Sequence, residues 1–290
     1  VNHGVFNLLK SDTSIADVKS NLQAQVILST LNFDSNIKFH IPQIEALAFL
    51  KHYQNQFPFT NQAGMLTLDI GAKGNLKLPT ETQIKGQLVV KSFSADMKYR
   101  NPDLSVEGPL QLDLSSTFTY FSKTPVIQAA SWKLNLDKSE LAYKNIFQKD
   151  NSVRLQTEGT ISYANDLTID QFRLWFHTMD VSIKGMASQL RSSDLSVNLK
   201  PLRLQDFKRF LPNNKDFDIS GDFELQAQIK GFLNQPKYLT LDVKKIQANN
   251  VKYYLDFKNN LFEANGPLSF TFMGHLLYER AQVLYGSITG

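Results

Sequence analysis

Five histidines, His3, His40, His52, His177 and His275, are the first residues to weigh as metal ligands or proton carriers. They are far apart in the chain. None belongs to an HExxH or HxH pattern, the spacings that bring two imidazoles to one ion, so structural or surface roles fit them better. The stretch GAKGNLK, Gly71 to Lys77, has the glycines and lysine of a phosphate loop. It lacks the GxxxxGK[ST] spacing that wraps backbone N–H groups around a phosphate, and no helix follows it. No GxSxG elbow is present. Asp and Glu fall mostly at the wet positions of alternating segments, and no two are set apart as an acid/base couple. The absence of cysteine removes disulfides, thiol nucleophiles and cysteine metal sites. The sequence therefore reads as a protein that is not an enzyme, with no catalytic group, no metal and no cofactor.

Composition narrows the remaining classes. The chain has 290 residues, of which 42% are hydrophobic and 20% charged, as in a folded domain with a sizeable core. Its net charge of +4 is spread among interspersed acids and bases, and the longest basic runs are pairs such as Lys208-Arg209. That is not the stripe a nucleic acid needs, so no nucleic-acid partner is expected. No run approaches the ~18 apolar residues of a membrane-spanning helix. The chain opens at Val1 and breaks off in the strand-like YGSITG, which reads as a piece excised from a longer protein.

With no reactive site to position, the elements themselves become the subject. In GDFELQAQIKGFLNQP, Gly221 to Pro236, Phe223, Leu225, Ala227 and Ile229 alternate with Asp222, Glu224, Gln226 and Gln228. This is period two, a strand with one dry face and one wet face. The same phrase occurs as GMLTLDIGAKGNLKLP, Gly64 to Pro79. Gly64, Gly74 and Pro79 each fall 157 residues before Gly221, Gly231 and Pro236. EGPLQLDL (Glu107 to Leu114) matches NGPLSFTF (Asn265 to Phe272) at an offset of 158, and DSNIKFHIP matches DLSVNLKP at 160 to 159. Ordered self-similarity of this kind marks an array of like units. The domains expected are a first unit over 1–193 and a second, truncated unit over 194–290.

Each unit carries one helical pattern between prolines. The first lies near 42–56 in PQIEALAFLKHYQNQFP, and the second near 201–211 in PLRLQDFKRFLP, where Leu204, Phe207, Phe210 and Leu211 share a side. All else reads as roughly fifteen short-linked strands. Links this short exclude helical crossovers, so the sheet is antiparallel and meandering. The shared register predicts one apolar stripe. In the first unit it holds Leu66, Leu68, Ile70, Leu112 and Leu114; in the second, Phe223, Leu225, Ile229, Leu241, Val243, Phe270 and Phe272.

The segment Ile219 to Leu255 resembles the repeating element of the AsmA-like superfamily of Gram-negative bacteria (the AsmA, TamB and YhdP type). The matching features are an alternating strand begun by Gly221 and closed by Gly231, the turn with Pro236, and a second strand carrying Ile246, Ala248, Val251, Tyr253 and Tyr254. The first copy keeps Gly64, Gly74, Pro79 and VVKSFSADMKY, and GPLQLDL and GPLSFTF are similar to the family's closing strand. The resemblance covers about Ile37 to Tyr120 and Val197 to Tyr285. It implies a mainly β fold, a long twisted antiparallel sheet folded into an open apolar groove with short amphipathic helices. It implies a periplasmic protein, anchored in the inner membrane through an amino-terminal helix missing here, whose groove shields phospholipid or other acyl chains between the inner and outer membranes. The stripe residues would line that groove. The physics is consistent, since each acyl CH₂ removed from water is worth about 0.8 kcal/mol. The competing expectation is a structural or adhesive array of closed β-sandwiches without lipid. An outer-membrane barrel fits worse, given the helical segments and uneven strand lengths.

Overall fold

The computed structural model describes residues 5–15, 18–27, 30–42, 59–121, 124–144, 147–188, 190–210, 217–233, 239–257, 260–277 and 281–289, with side chains within 19–249. The chain is mainly β, an open antiparallel sheet, with seventeen strands and no α-helix among the described residues. It divides into two units. The first comprises Val1–Lys98, Pro109–Asn135 and Thr160–Asn165, and the second Tyr99–Gly108, Leu136–Gly159 and Asp166–Gly290. The boundary expected at 193/194 is not where the chain divides. It falls inside the second unit, at the start of a strand already paired with the one before it.

In the first unit β1 (Val5–Ile15), β2 (Val18–Ile27), β3 (Asn32–Ile41), β4 (Phe59–Asn75) and β5 (Leu78–Arg100) pair each with the next. The strand β6 (Leu104–Phe121) pairs from Gln111 onward with β7 (Thr124–Asn135). The β4–β5 link is a tight turn, Asn75 to Leu78, and neighbours in sequence become neighbours in the sheet.

In the second unit, Leu104–Glu107 of β6 pairs instead with β8 (Glu140–Tyr143), and β8 with β9 (Phe147–Lys149). After β10 (Leu155–Tyr163), the strands β11 (Leu167–Phe176), β12 (Met179–Ala187), β13 (Ser193–Arg203), β14 (Phe217–Gly231), β15 (Thr240–Phe257), β16 (Asn260–Leu277) and β17 (Ala281–Thr289) follow, and from β11 each pairs with the next.

The helix expected near 201–211 forms differently. Pro201 stays in β13, where pairing with β14 slips between Leu199 and Leu202. A proline has no N–H for the ladder, and a bulge is where a strand tolerates it. A seven-residue 3-10 helix follows, Leu204–Phe210. Its apolar residues Leu204, Phe207 and Phe210 recur every third position, the period at which 3-10 side chains stack in one row. Phe210 packs with Val153 and Phe176, joined by Phe147, Leu155, Met179 and Phe207, and the Phe176 and Phe210 rings lie 4.7 Å apart. The helix thus caps the β11–β12 turn. Beneath it Lys149, 2% exposed, donates its three ammonium hydrogens to the carbonyls of Asp137, Ser139 and Asp150. The helix expected near 42–56 lies outside the described residues.

The repeat is visible in the pairing itself. Phe39, Leu68 and Leu88 stand opposite one another across β3, β4 and β5, as Leu199, Leu225 and Ile246 do across β13, β14 and β15. Ile41, Leu66 and Val90 correspond in the same way to Leu202, Phe223 and Ala248. The drift of the offset from 157 to 158 is one bulge residue, because Ala227 pairs Val243 while Gln226 pairs Lys245, leaving Lys244 unopposed.

Gly64 and Gly221 hold equivalent irregularities near the start of β4 and β14, with φ of 129° and 114°. A Cβ on Gly64 would lie 2.7 Å from the Phe93 Cα, which is backbone and has no easy way to yield. Gly71, in contrast, has ordinary extended backbone and meets nothing nearer than 3.8 Å. Gly64→Ala is therefore expected to cost about 1–3 kcal/mol in urea unfolding, and Gly71→Ala to be neutral or to stabilise by up to about 1 kcal/mol. Equal losses at both positions would contradict the bulge at Gly64.

Candidate functional site

Directly opposed residues of an antiparallel ladder project to the same side of the sheet. In the first unit this collects Leu22, Ile37, Ile70 and Gly86 in one row, Ser20, Phe39, Leu68 and Leu88 in the next, and Ile41, Leu66 and Val90 in a third. The expected Leu66, Leu68 and Ile70 are the β4 members of these rows. Leu112 and Leu114 pair with Leu134 and Trp132 across β6 and β7. Further along β6, the Phe118 ring fills the space that a Cβ on Gly86 would take. Leu112 and Leu114 alternate in step with Phe118, so they share its face.

The second unit repeats the arrangement. Val181, Leu199, Leu225 and Ile246 form one row, Ile183, Val197, Ala227 and Val243 the next, then Leu195, Ile229 and Leu241, and on the other side Leu202, Phe223 and Ala248. Phe223, Leu225, Ile229, Leu241 and Val243 therefore lie on one face, as their alternation requires. Phe270 and Phe272 stand in register opposite Ala248 and Ile246, although their side chains lie outside the described residues. The simple period missed Ile246 and Ala248 as members of the face, because the Lys244 bulge shifts β15 by one residue. The β3 and β13 residues on it were legible in their own alternation.

Burial is uneven along this face. Ala227, Val243 and Ala248 are buried. Leu66, Leu68, Ile70, Leu112 and Leu114 are only half-buried, as are Phe223, Leu225, Ile229, Leu241 and Ile246. Leu202 is buried in its row, so the large apolar side chains of this face are covered unevenly, and most of them only in part.

The reverse face is made of charge. In the first unit Lys38 meets Asp69 at 2.8 Å, Lys73 meets Asp34 at 2.7 Å, Asn36 donates to Asp69, and a His40 ring nitrogen lies 3.0 Å from the Thr67 hydroxyl. In the second, Lys245 pairs with Glu224. Asp180 takes a fork from Arg173 (Nε at 2.8 Å) and a second cation from Lys200 at 2.7 Å. Two guanidinium groups lie over the Trp175 ring, those of Arg154 and Arg173, 4.7 and 4.5 Å from its centroid. His177 is a packing residue, edge-on to Phe207 and Phe210. Among the described residues no three His, Cys, Asp or Glu side chains are grouped to share a metal ion.

No family model, curated protein or solved structure matches the chain. The geometry of the two faces is therefore the ground for any functional reading. It offers a hydrophobic surface without a reactive group among the described residues, backed by a face whose acids and bases largely neutralise each other.

The Arg173 hydrogen bonds, with Lys200 behind them, hold the Asp180 carboxyl well below the usual carboxylate range, against the opposing effect of burial. A depressed carboxylate stabilises the fold above its unfolded pKa of about 3.9, and that contribution is lost as pH falls below it. Asp180→Asn is expected to lose about 1–2 kcal/mol at neutral pH. In thermal melts taken at descending pH, the gap to the parent should narrow below about pH 4. A constant gap down to low pH would mean that the Asp180 charge contributes nothing.

Proposed function

We propose that the apolar face carries acyl chains, as one segment of a bridge-like lipid-transfer protein of the AsmA-like type. The observation that supports this reading most directly is the half-buried state of most large side chains of the face in both units, Leu202 being an exception. Leucines and phenylalanines left in this state present surface that gains when a hydrocarbon chain is laid on it, at about 25 cal/mol per Å² removed from water. The repeat extends the surface without new chemistry, which suits a cargo that is itself a repeating chain of CH₂ groups. The resemblance in Gly64–Tyr99 and Gly221–Tyr254 adds the folding of the sheet into a groove, a periplasmic location between the two membranes, and an inner-membrane helix as tether. Among the described residues no helix is long and apolar enough to cross a membrane.

Head-group selectivity is weak on this reading. The described residues of the face contribute no cation to hold a phosphate, and the charged residues engage one another on the reverse side. Phospholipid or another acyl lipid would be taken by its tails.

A photo-crosslinking residue at Leu225 is expected to capture phospholipid in cells, and one at Gln226, exposed on the opposite face, to capture far less. Lipid extraction of the purified chain followed by mass spectrometry gives the identity of the cargo. Leu225→Asp should weaken lipid capture while lowering stability by no more than about 1 kcal/mol, because its carboxylate stays near water. In a closed β-sandwich the same change buries an unpaired charge and costs several kcal/mol. A large loss of stability, with no lipid recovered from the parent chain, would turn the assignment to the sandwich.

A further inference from the structure

The large apolar side chains that stand furthest into solvent are concentrated at the turns on one end of each unit. In the first unit the β4–β5 turn presents Leu76 at 56% and Leu78 at 50% exposure, with exposed Lys77 between them. Phe121, 50% exposed, ends β6 at the β6–β7 turn. Phe118 lies over Gly86, and Asp113 accepts a hydrogen bond from the Ser92 N–H, so β6 runs antiparallel beside β5 and both turns are at the same end. The β2–β3 turn is there as well, since the Leu76 N–H donates to the Leu31 carbonyl at 2.9 Å. These tips are built rather than loose. The Asn75 side chain donates to the Thr30 carbonyl and to Asn32, and accepts from the Lys77 N–H at 2.8 Å.

The second unit repeats the feature at its own corresponding turns. Leu233, 41% exposed, lies 157 residues after Leu76, at the equivalent place in the β14–β15 turn. Leu190, 81% exposed, projects from the β12–β13 turn, which the Ser188 hydroxyl braces by accepting from the Leu190 and Arg191 N–H groups. The Ser193–Gly231 pair puts these two turns at one end. A leucine exposed at the same turn of both copies is not an accident of a single loop.

We propose that the turn-bearing end of each unit docks on an anionic bilayer surface. The form of the apolar surface argues for a membrane rather than a second protein. It is split among separate tips one hairpin apart, roughly 10 Å, whereas a stable protein interface needs a continuous patch of about 800 Å² per partner. Isolated leucines and a phenylalanine each enter the head-group boundary independently, and a lysine set between two leucines keeps its ammonium at the phosphates while its stem stays apolar. Lys77, the exposed cation between the two leucines, favours an anionic surface over a neutral one. The inference goes beyond acyl binding by the sheet face and does not depend on it.

Flotation of the 290-residue chain tests it, with vesicles of phosphatidylcholine containing phosphatidylglycerol or of phosphatidylcholine alone. The chain is expected to float with the anionic vesicles. The double variant Leu76→Asn, Leu78→Asn should bind at least about tenfold more weakly with an unchanged melting temperature, since both positions are exposed. Lys77→Glu should weaken binding to anionic vesicles only. Leu225→Asp, which disables the acyl-binding face in the reading above, should still float, so the two proposals fail separately. Failure of the parent chain to float, or flotation of the double variant like the parent, overturns the proposal. So does a double variant that instead loses self-association in sedimentation velocity, which would assign the tips to a second copy of the chain.

Discussion

Everything in this molecule depends on the register of its antiparallel ladders. Side chains alternate with a period of two, so a slip of one residue would carry an entire apolar row to the wet side and bring its charges to the dry one. The reverse face resists such a slip through ion pairs formed between directly opposed residues, Asp34 with Lys73 and Lys38 with Asp69. Each exposed pair adds little stability by itself. Its value lies in discrimination, because a slipped strand would set a charge against an apolar neighbour. The single extra residue at Lys244 obeys the same requirement. It is absorbed as a bulge, after which Ile246 and Ala248 return to the apolar face.

The repeat is conserved at the level of pairing more closely than at the level of residue type. Gly86 occupies the place held by Val243 in the other copy, opposite Ile70 where Val243 is opposite Ala227. The substitution has a local cause. Phe118 lays its ring over Gly86, where any side chain would collide with it. The apolar surface lost at Gly86 is supplied from the neighbouring strand. Equivalent positions can therefore exchange bulk across a ladder, provided that the face as a whole stays covered.

Much of this was legible in the sequence, and the parts that were not have physical reasons. Alternation in Gly64–Pro79 and Gly221–Pro236 announced both strands and their dry faces. The paired glycines marked the irregularities now found at Gly64 and Gly221. Less visible was the consequence of a bulge, since one extra residue breaks the period without leaving a compositional sign. The segment 201–211 read as an amphipathic helix because a spacing of three fits both helical forms over so short a stretch. Only the packing of Phe207 and Phe210 on Phe176 reveals which one forms. The expected boundary at 193/194 followed the repeat, yet β12 pairs with β13 across it, so the sequence repeat and the packed unit need not coincide.

A sheet with one apolar face can distinguish hydrocarbon from water without any reactive group. A sheet gains by covering its apolar face, and it can do so with a second layer of its own side chains or with something brought from outside. Here Leu202, Ala227, Val243 and Ala248 are buried, while Leu225, Ile229 and Leu241 are left half-covered. The partly covered rows still contribute apolar burial, joined by the ladder hydrogen bonds and the aromatic cap around Phe210. On the reading proposed above this is functional. A face that needed its own closure to fold could not release a cargo, whereas one that folds half-covered can gain and lose an acyl chain at modest cost. The same reasoning accounts for weak head-group choice. Specificity would reside in the difference between hydrocarbon and water, which is what a surface of aliphatic and aromatic side chains can measure.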